Sequence, residues 1–440
     1  MAQRFIAADR DQEFLMPPSV RDWLPAGHLA WFVLDTVGEL DLAEFYAAYR
    51  ADGHGRPAHD PALMVALILY AYAVGERSTR RIERRCVEDV AFRVVAANLA
   101  PDHATIARFV VRHQQALAAL FGQVLALCAR AGLVRAGTIA LDSTKVAANA
   151  SGLANADYER IAREIIAEGI ATDEAEDELY GHARGDELPS ELADPGTRRA
   201  RLRAAKRELE AEWEAERAAR QAMLERRAEH ERKTGRKPPG RPPVERGLSG
   251  DPPGRVNVTD PDSRPVKTPR GFIQGYNAQA VATEQQIIVA ADVTTGSADQ
   301  GLLAPMIAAA REQLDAAGIT DPVEVALADA GYWDSTDIQA LMGNGITVLV
   351  PPDAHTRRKP NPKRRGGLYE FMRRILADDD GRARYRRRMA MIEPIFGQTK
   401  HNRRADRFTR RGLLAVQAEW RLITATHNLL KLWTAGSATA

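Results

Sequence analysis

Two short apolar runs, each stopping on an aspartate, constrain this chain most. Thr138-Ile-Ala-Leu141 leads into Asp142 and Ser143-Thr-Lys145; Val323-Glu-Val-Ala-Leu-Ala328 leads into Asp329 and Ala330-Gly-Tyr-Trp333. Runs this short and apolar read as buried strands. An aspartate at a strand end is, taken singly, more often a turn or helix-cap residue. A third acid, Glu393, changes the weighing, because it lies in Met391-Ile-Glu-Pro-Ile-Phe-Gly397 within the most arginine-dense part of the chain. Residues 381–411 hold ten arginines and Lys400 against only Glu393 and Asp406, although the whole chain carries a formal charge of just +2. The compensating acid is concentrated in 157–231, and such blockwise asymmetry implies a polyanionic partner.

With 440 residues, 45% apolar and 27% charged, the chain has the composition of a globular protein of two or three domains. Its two cysteines, Cys86 and Cys128, offer neither a disulfide framework nor zinc spacing and read as buried thiols of a reducing compartment. The N-terminal segment lacks the apolar core of a signal peptide. The longest apolar stretch, Pro61 to Gly75, is shorter than the ~20 residues a bilayer requires. A cytoplasmic, nucleoid-associated protein with no membrane contact is expected. No glycine-rich phosphate loop is present, so ATP use is not expected.

Residues 18–135 read as helices, with apolar residues at helical spacing in Leu29–Leu34, Ala62–Leu69 and Ala107–Leu127. Asp60-Pro61 and Pro101-Asp102 supply start signals. Gly75-Glu-Arg-Ser-Thr-Arg-Arg-Ile-Glu-Arg-Arg85 reads as a turn and a short basic helix, the way helix-turn-helix proteins present side chains to a DNA groove; a solvated arginine face is the alternative. Arg80, Arg81 and Arg84 are the DNA-contact candidates there. After the strand Gly137–Asp142 comes a charged insertion, 155–234. Leu202, Ala205, Leu209, Trp213, Ala219 and Met223 suggest a long amphipathic helix or helical hairpin within it. A Pro/Gly/Arg-rich linker, 235–256, follows, poorly ordered unless DNA holds it. Strands at Phe272–Thr283 and Ile287–Thr294, a helix at Gly301–Ala317, the strand ending at Asp329, a helix at Ser335–Met342 and a strand at Ile346–Val350 complete an α/β pattern. Helices follow a basic loop at 353–367, and 434–440 reads as a disordered tail. Without the insertion, this order is that of a ribonuclease-H-like mixed sheet flanked by helices. The divisions are a helical DNA-binding domain (1–134), a catalytic domain (135–154 with 257–433), the insertion and the linker.

Two carboxylates at strand ends and a third in a basic segment suit a pair of magnesium ions. Such hard cations take oxygen ligands and stabilise both oxygens of an in-line displacement at phosphorus. The runs around Asp142 (Leu141 to Ser151), Asp329 (Ala326 to Trp333) and Glu393 (Ile392 to Lys400) resemble the three acidic motifs of bacterial insertion-sequence DDE transposases. Gly275-Tyr-Asn-Ala-Gln279, Pro101 to Phe109 and the tail from Arg403 to Trp433 are similar to that family as well. The likeness extends from about residue 15 to 433. It implies that Asp142, Asp329 and Glu393 are the catalytic residues and ligate two Mg2+ ions (Mn2+ substituting). The implied partners are terminal inverted repeats and target DNA, bound by a homodimer or higher oligomer.

Relatives carry a tyrosine–arginine–glutamate–lysine signature. Here Tyr385 and Arg388 keep its first gap and Glu393 and Lys400 its last. Four residues separate Arg388 from Glu393 where the usual pattern has three, so Arg388, Arg387 or Arg386 could fill the arginine's place. Tyr385, Arg388, Lys400, Arg364, Arg365, Arg403 and Arg404 join the DNA-binding candidates, along with Arg357, Arg358, Lys359 and Lys363 of the basic loop. Asn277 and Gln279 could face DNA or the sheet interior; Trp333 could stack on an extruded base or sit in the core. Two other readings stay open: a catalytically silent transposase-derived DNA-binding protein, and a metal-dependent nuclease without strand transfer.

Overall fold

A computed structural model of the protein describes residues 19–49, 58–157, 160–161, 163, 198–238, 255–353, 362 and 364–439. The expectations for Arg357, Arg358, Lys359 and Lys363, and for most of the insertion's first half and the linker, lie outside these residues.

Helices α1 (Leu29–Glu39), α2 (Ala43–Ala47), α3 (Pro61–Ala73), α4 (Thr79–Glu88), α5 (Val90–Val95), α6 (His103–Arg112) and α7 (Gln114–Arg130) precede the first strand. The start signal before α3 acts as expected: Asp60 Oδ1 accepts from Ala62 N at 2.8 Å and Pro61 occupies the first helical turn. From Met64 to Ala73 every α3 residue is buried, so this helix is the axis of the N-terminal bundle and has no solvent face. Among the described residues, no helix is long and apolar enough to cross a membrane.

The strands are β1 (Thr138–Ala147), β2 (Asn155–Ala156), β3 (Val256–Asn257), β4 (Arg264–Thr268), β5 (Gly271–Thr283), β6 (Ile288–Thr294), β7 (Val325–Leu327) and β8 (Thr347–Leu349). The main sheet runs β4-β5-β1-β7-β8, and β6 shares the outer edge of β5 with β4. β5 is antiparallel to β1, β4 and β6, whereas β1, β7 and β8 are parallel. Parallel partners require crossovers, supplied by α9 (Leu303–Ala316) between β6 and β7 and α10 (Ser335–Gly343) between β7 and β8. The fold is therefore mixed α/β.

In two places the elements differ from the sequence expectation. First, β1 does not stop at Asp142 but continues to Ala147, because β5 pairs with it along the whole length, from Ile139↔Thr283 to Ala147↔Gly275. Pairing outweighs the weak strand preference of Ser143-Thr-Lys145. Second, the final helix α13 (Leu413–Thr439) runs through most of the stretch expected to be a tail.

Of the insertion, helix α8 (Arg198–Thr234) is described. Leu202, Ala205 and Leu209 form a small separate core with Ala156, Ile161 and Val256. The apolar stripe is not buried further along, where Met223 is 49% exposed.

A single apolar core joins the N-terminal helices to the sheet through α13, which packs on α7, α3 and β6. Asn428 of α13 acts as a surrogate strand, receiving Ile288 N and donating to Ile288 O, both at 2.8 Å. Beside it His427 Nε2 lies 2.9 Å from Gln286 O, so this pair packs α13 onto the β5–β6 turn. At the other contact Gly75 (φ +80°) lies so close to Arg403 that a Cβ would stand 2.9 Å from the Arg403 Cα. Both the left-handed backbone and the close approach require glycine there.

Candidate active site

Strand register brings the two aspartates together. The last parallel pair between β1 and β7 is Ala140↔Leu327, and Asp142 and Asp329 each lie two residues beyond it. They therefore stand side by side where β7 leaves β1, the type of crevice that parallel strand ends open. Asp329 caps the turn Ala330–Tyr332, accepting from Gly331 N at 2.8 Å. Asp142 Oδ1 accepts from Ser143 N at 2.7 Å.

Glu393 approaches from the side, on α12 (Asp379–Gly397), the helix after α11 (Gly367–Ala377). Arg388, just over one turn before it, links it to the sheet: Nη1 donates to Asp142 Oδ2 at 2.7 Å and Nη2 stands 4.0 Å from Glu393 Oε1. The Arg388 guanidinium lies 5.9 Å from the Tyr385 ring centre and its side chain is only 12% exposed. Among the arginines that could fill the signature, Arg388 reaches the acids, while Arg387 turns away to Glu284 at 2.6 Å. Asp329, Glu393, Tyr385, Arg388, Arg386 and Arg364 line one cavity of roughly 970 Å3.

Burial raises the Asp142 carboxyl to about 6; the Arg388 charge and the Ser143 N–H oppose this, and Asp329 adds to it. Burial works against the Arg388 charge too, but Asp142, Tyr385 and Asp329 outweigh it and raise its pKa further. A carboxyl that titrates higher folded than unfolded binds its proton more tightly in the native state, so its contribution to stability is lost as pH rises. In metal-free protein, stability should therefore fall between pH ~4 and ~6, and Asp142→Asn should flatten that slope in pH-dependent unfolding. An unchanged slope would show that another group is responsible.

The remaining expected residues fall into three groups. Arg80, Arg81 and Arg84 are exposed on α4, Arg81 in a pair with Glu76 at 3.0 Å; Arg365 and Arg404 are also exposed. Arg364 bonds the Pro352 carbonyl at the cavity wall, and Lys400, half-buried in a π-helical turn after α12, donates to the Lys145 carbonyl at 2.6 Å. Arg403, expected among the DNA contacts, is 6% exposed and donates inward to Ile423 O, Thr426 Oγ1 and Thr399 Oγ1, so its charge braces α13. Burial lowers it to about 10.

Asn277 and Gln279 face the protein interior, both donating to Asp299 Oδ1, at 2.7 and 2.9 Å. Trp333 is in the core, 4% exposed and stacked 5.0 Å from Tyr369. Asp299 itself was missed. It sits in the polar loop Ser297-Ala-Asp-Gln-Gly301 and has no apolar run leading to it, so nothing in the sequence separates it from a cap residue.

Among the described residues, no three His, Cys, Asp or Glu side chains are arranged as a ready-made metal cluster. The donor chemistry nevertheless fits a hard divalent cation: the candidate donors are carboxylate oxygens, and the positive Arg388 guanidinium already stands between two of them.

Acids at parallel strand ends, approached by an arginine-rich helix, form the candidate site. Residues 18–112 match the transposase domain DUF772, and residues 355–433 match a transposase DDE domain. Both matches are to transposase domains, and together they support an insertion-sequence DDE transposase. No curated protein and no solved structure matches the chain.

Proposed function

We propose that this transposase cleaves DNA at the inverted-repeat ends of its own element and transfers the freed strands, using Asp142, Asp329 and Glu393 in a ribonuclease-H-like core. The sheet order β6-β5-β1-β7-β8, with an antiparallel meander followed by two parallel strands, supports that core. The observation that carries the function is Arg388, which pairs with Asp142 of β1, stands 4.0 Å from Glu393 of α12 and feels the charge of Asp329 after β7.

Asp142, Asp329 and Glu393 would hold two Mg2+ ions, with Mn2+ able to substitute. When bound, they supply positive charge at the entering and leaving oxygens of phosphorus. The chain's own residues provide the positioning. Arg388 neutralises Asp142 in the resting site and, once displaced, is placed to take a phosphate oxygen. Lys400 and the arginines around the cavity hold the backbone of the duplex without reading its sequence. The exposed arginines of α4 contact the ends from the N-terminal helices. Pairing two ends requires at least a dimer.

The test is a Mg2+- or Mn2+-dependent assay on duplexes carrying the repeats that flank the coding region. Nicks at the repeat boundary followed by joined products are expected. Nicks without joining would leave a nuclease; binding without nicks would leave a silent DNA-binding protein. Affinity should fall about 10³-fold or more between 50 and 200 mM salt, as for a protein with six or more phosphate contacts. A flat salt response would exclude the arginine-rich face as the DNA surface.

A further inference from the structure

The catalytic acids have a cationic neighbour that the signature residues do not include. We infer that Lys145 is a further catalytic residue, whose ammonium contacts the scissile phosphate while Asp299 stands as its fixed counter-charge. The inference rests on the transposase reading above.

Lys145 lies three residues after Asp142 on β1 and its side chain is 19% exposed. Its Nζ is 3.6 Å from Asp299 Oδ1 and 3.5 Å from Ser143 Oγ. Charge-assisted hydrogen bonds close at about 2.7–2.9 Å, so neither contact is drawn tight. An ammonium has three donors, and leaving them poorly satisfied in a largely buried site is costly. An incoming phosphate oxygen would satisfy them.

Asp299 cannot follow the lysine. Two amides hold its carboxylate, Asn277 and Gln279, and the register sets these opposite Lys145 and Ser143 on the neighbouring strand. Gln279 is fixed in turn by Tyr332, whose hydroxyl donates to its Oε1. Lys400 pins the Lys145 carbonyl from the other side. The catalytic acids are within electrostatic reach: burial lowers the Lys145 pKa, while Asp299, Asp329 and Asp142 each raise it. At Gly331 an added Cβ would stand 2.9 Å from Asp329 Oδ1 and 3.4 Å from Asp299 Oδ2, so the two carboxylates flank one bare backbone position. A site this rich in carboxylates repels a phosphodiester. A half-buried cation at its rim, held only by two long contacts, lowers that barrier at the place where cutting occurs.

The experiment is a cycle between protein and DNA charge, with Ca2+ replacing the catalytic ion so that binding is read without cleavage. Kd is measured for wild type, Lys145→Met and Lys145→Arg on the end duplex. It is measured again on the same duplex with one neutral methylphosphonate at the mapped cut. Lys145→Met keeps the apolar stem packed, and thermal unfolding confirms its fold. We expect Lys145→Met to lose about tenfold or more on normal DNA, the worth of one hydrogen bond to a charged group. On methylphosphonate DNA the loss should shrink to within about twofold, the signature of direct coupling. Lys145→Arg should keep most of the coupling. An equal loss on both duplexes, or none on either, overturns the assignment. Failure of wild type to prefer its end duplex over unrelated DNA would instead overturn the transposase reading.

Discussion

Alanine at Asp142 should lower end nicking by about 10³-fold or more, equivalent to ~4 kcal/mol of lost transition-state stabilisation, while end binding stays within about threefold of wild type. The asymmetry follows from the placement of the charges. Asp142 is a half-buried carboxylate paired with Arg388 and within electrostatic reach of Asp329, whereas Arg80, Arg84, Arg365 and Arg404 lie exposed on other elements. Removing the carboxylate takes away a proposed cation ligand and frees Arg388, but it leaves the proposed phosphate contacts in place. Asp329→Ala and Glu393→Ala should behave alike. Nicking by Asp142→Ala at the wild-type rate would end the assignment.

The second large effect concerns stability. Glu419→Ala should cost about 3–5 kcal/mol, the range for breaking a buried ion pair by removing one partner. The Glu419 side chain is fully buried and accepts from Thr409 N and Oγ1, Arg410 N and Arg77 Nη1, at 2.8 to 3.0 Å. Arg77 is a clamp, donating in addition to the Arg404 and Arg407 carbonyls and so tying the start of α4 to the arginine-rich loop. Without Glu419 the Arg77 charge, 10% exposed, loses its paired carboxylate while still repelling buried Arg403. Glu419→Gln should cost less, because it retains acceptors for the backbone N–H groups. Thermal and denaturant unfolding measure both; a loss below ~1 kcal/mol for alanine, the worth of an ordinary surface pair, would show that the clamp contributes little.

The clamp also shows where sequence reading stopped. Arg77 and Arg403 look like their arginine-rich neighbours, yet one is a joint between distant segments and the other a core residue. A cation's neighbours in the chain say whether a segment is basic; they do not say which of its side chains points inward. The strand boundary at Asp142 was misread for a related reason. Local preference ends the strand there, and a partner 130 residues away extends it.

By itself the sequence determined the helical N-terminal segment, the alternation of strands and helices after it, and the identity of three acids in transposase-like motifs. Apolar periodicity, capping residues and motif spacing are local properties, written within a few residues of one another. Only the tertiary structure decided that Arg388 is the arginine between the acids, that Arg403 is buried, and that Asp299 stands beside Lys145. Those outcomes depend on strand register and on which helix face meets the sheet, and both are set by contacts between residues far apart in the chain.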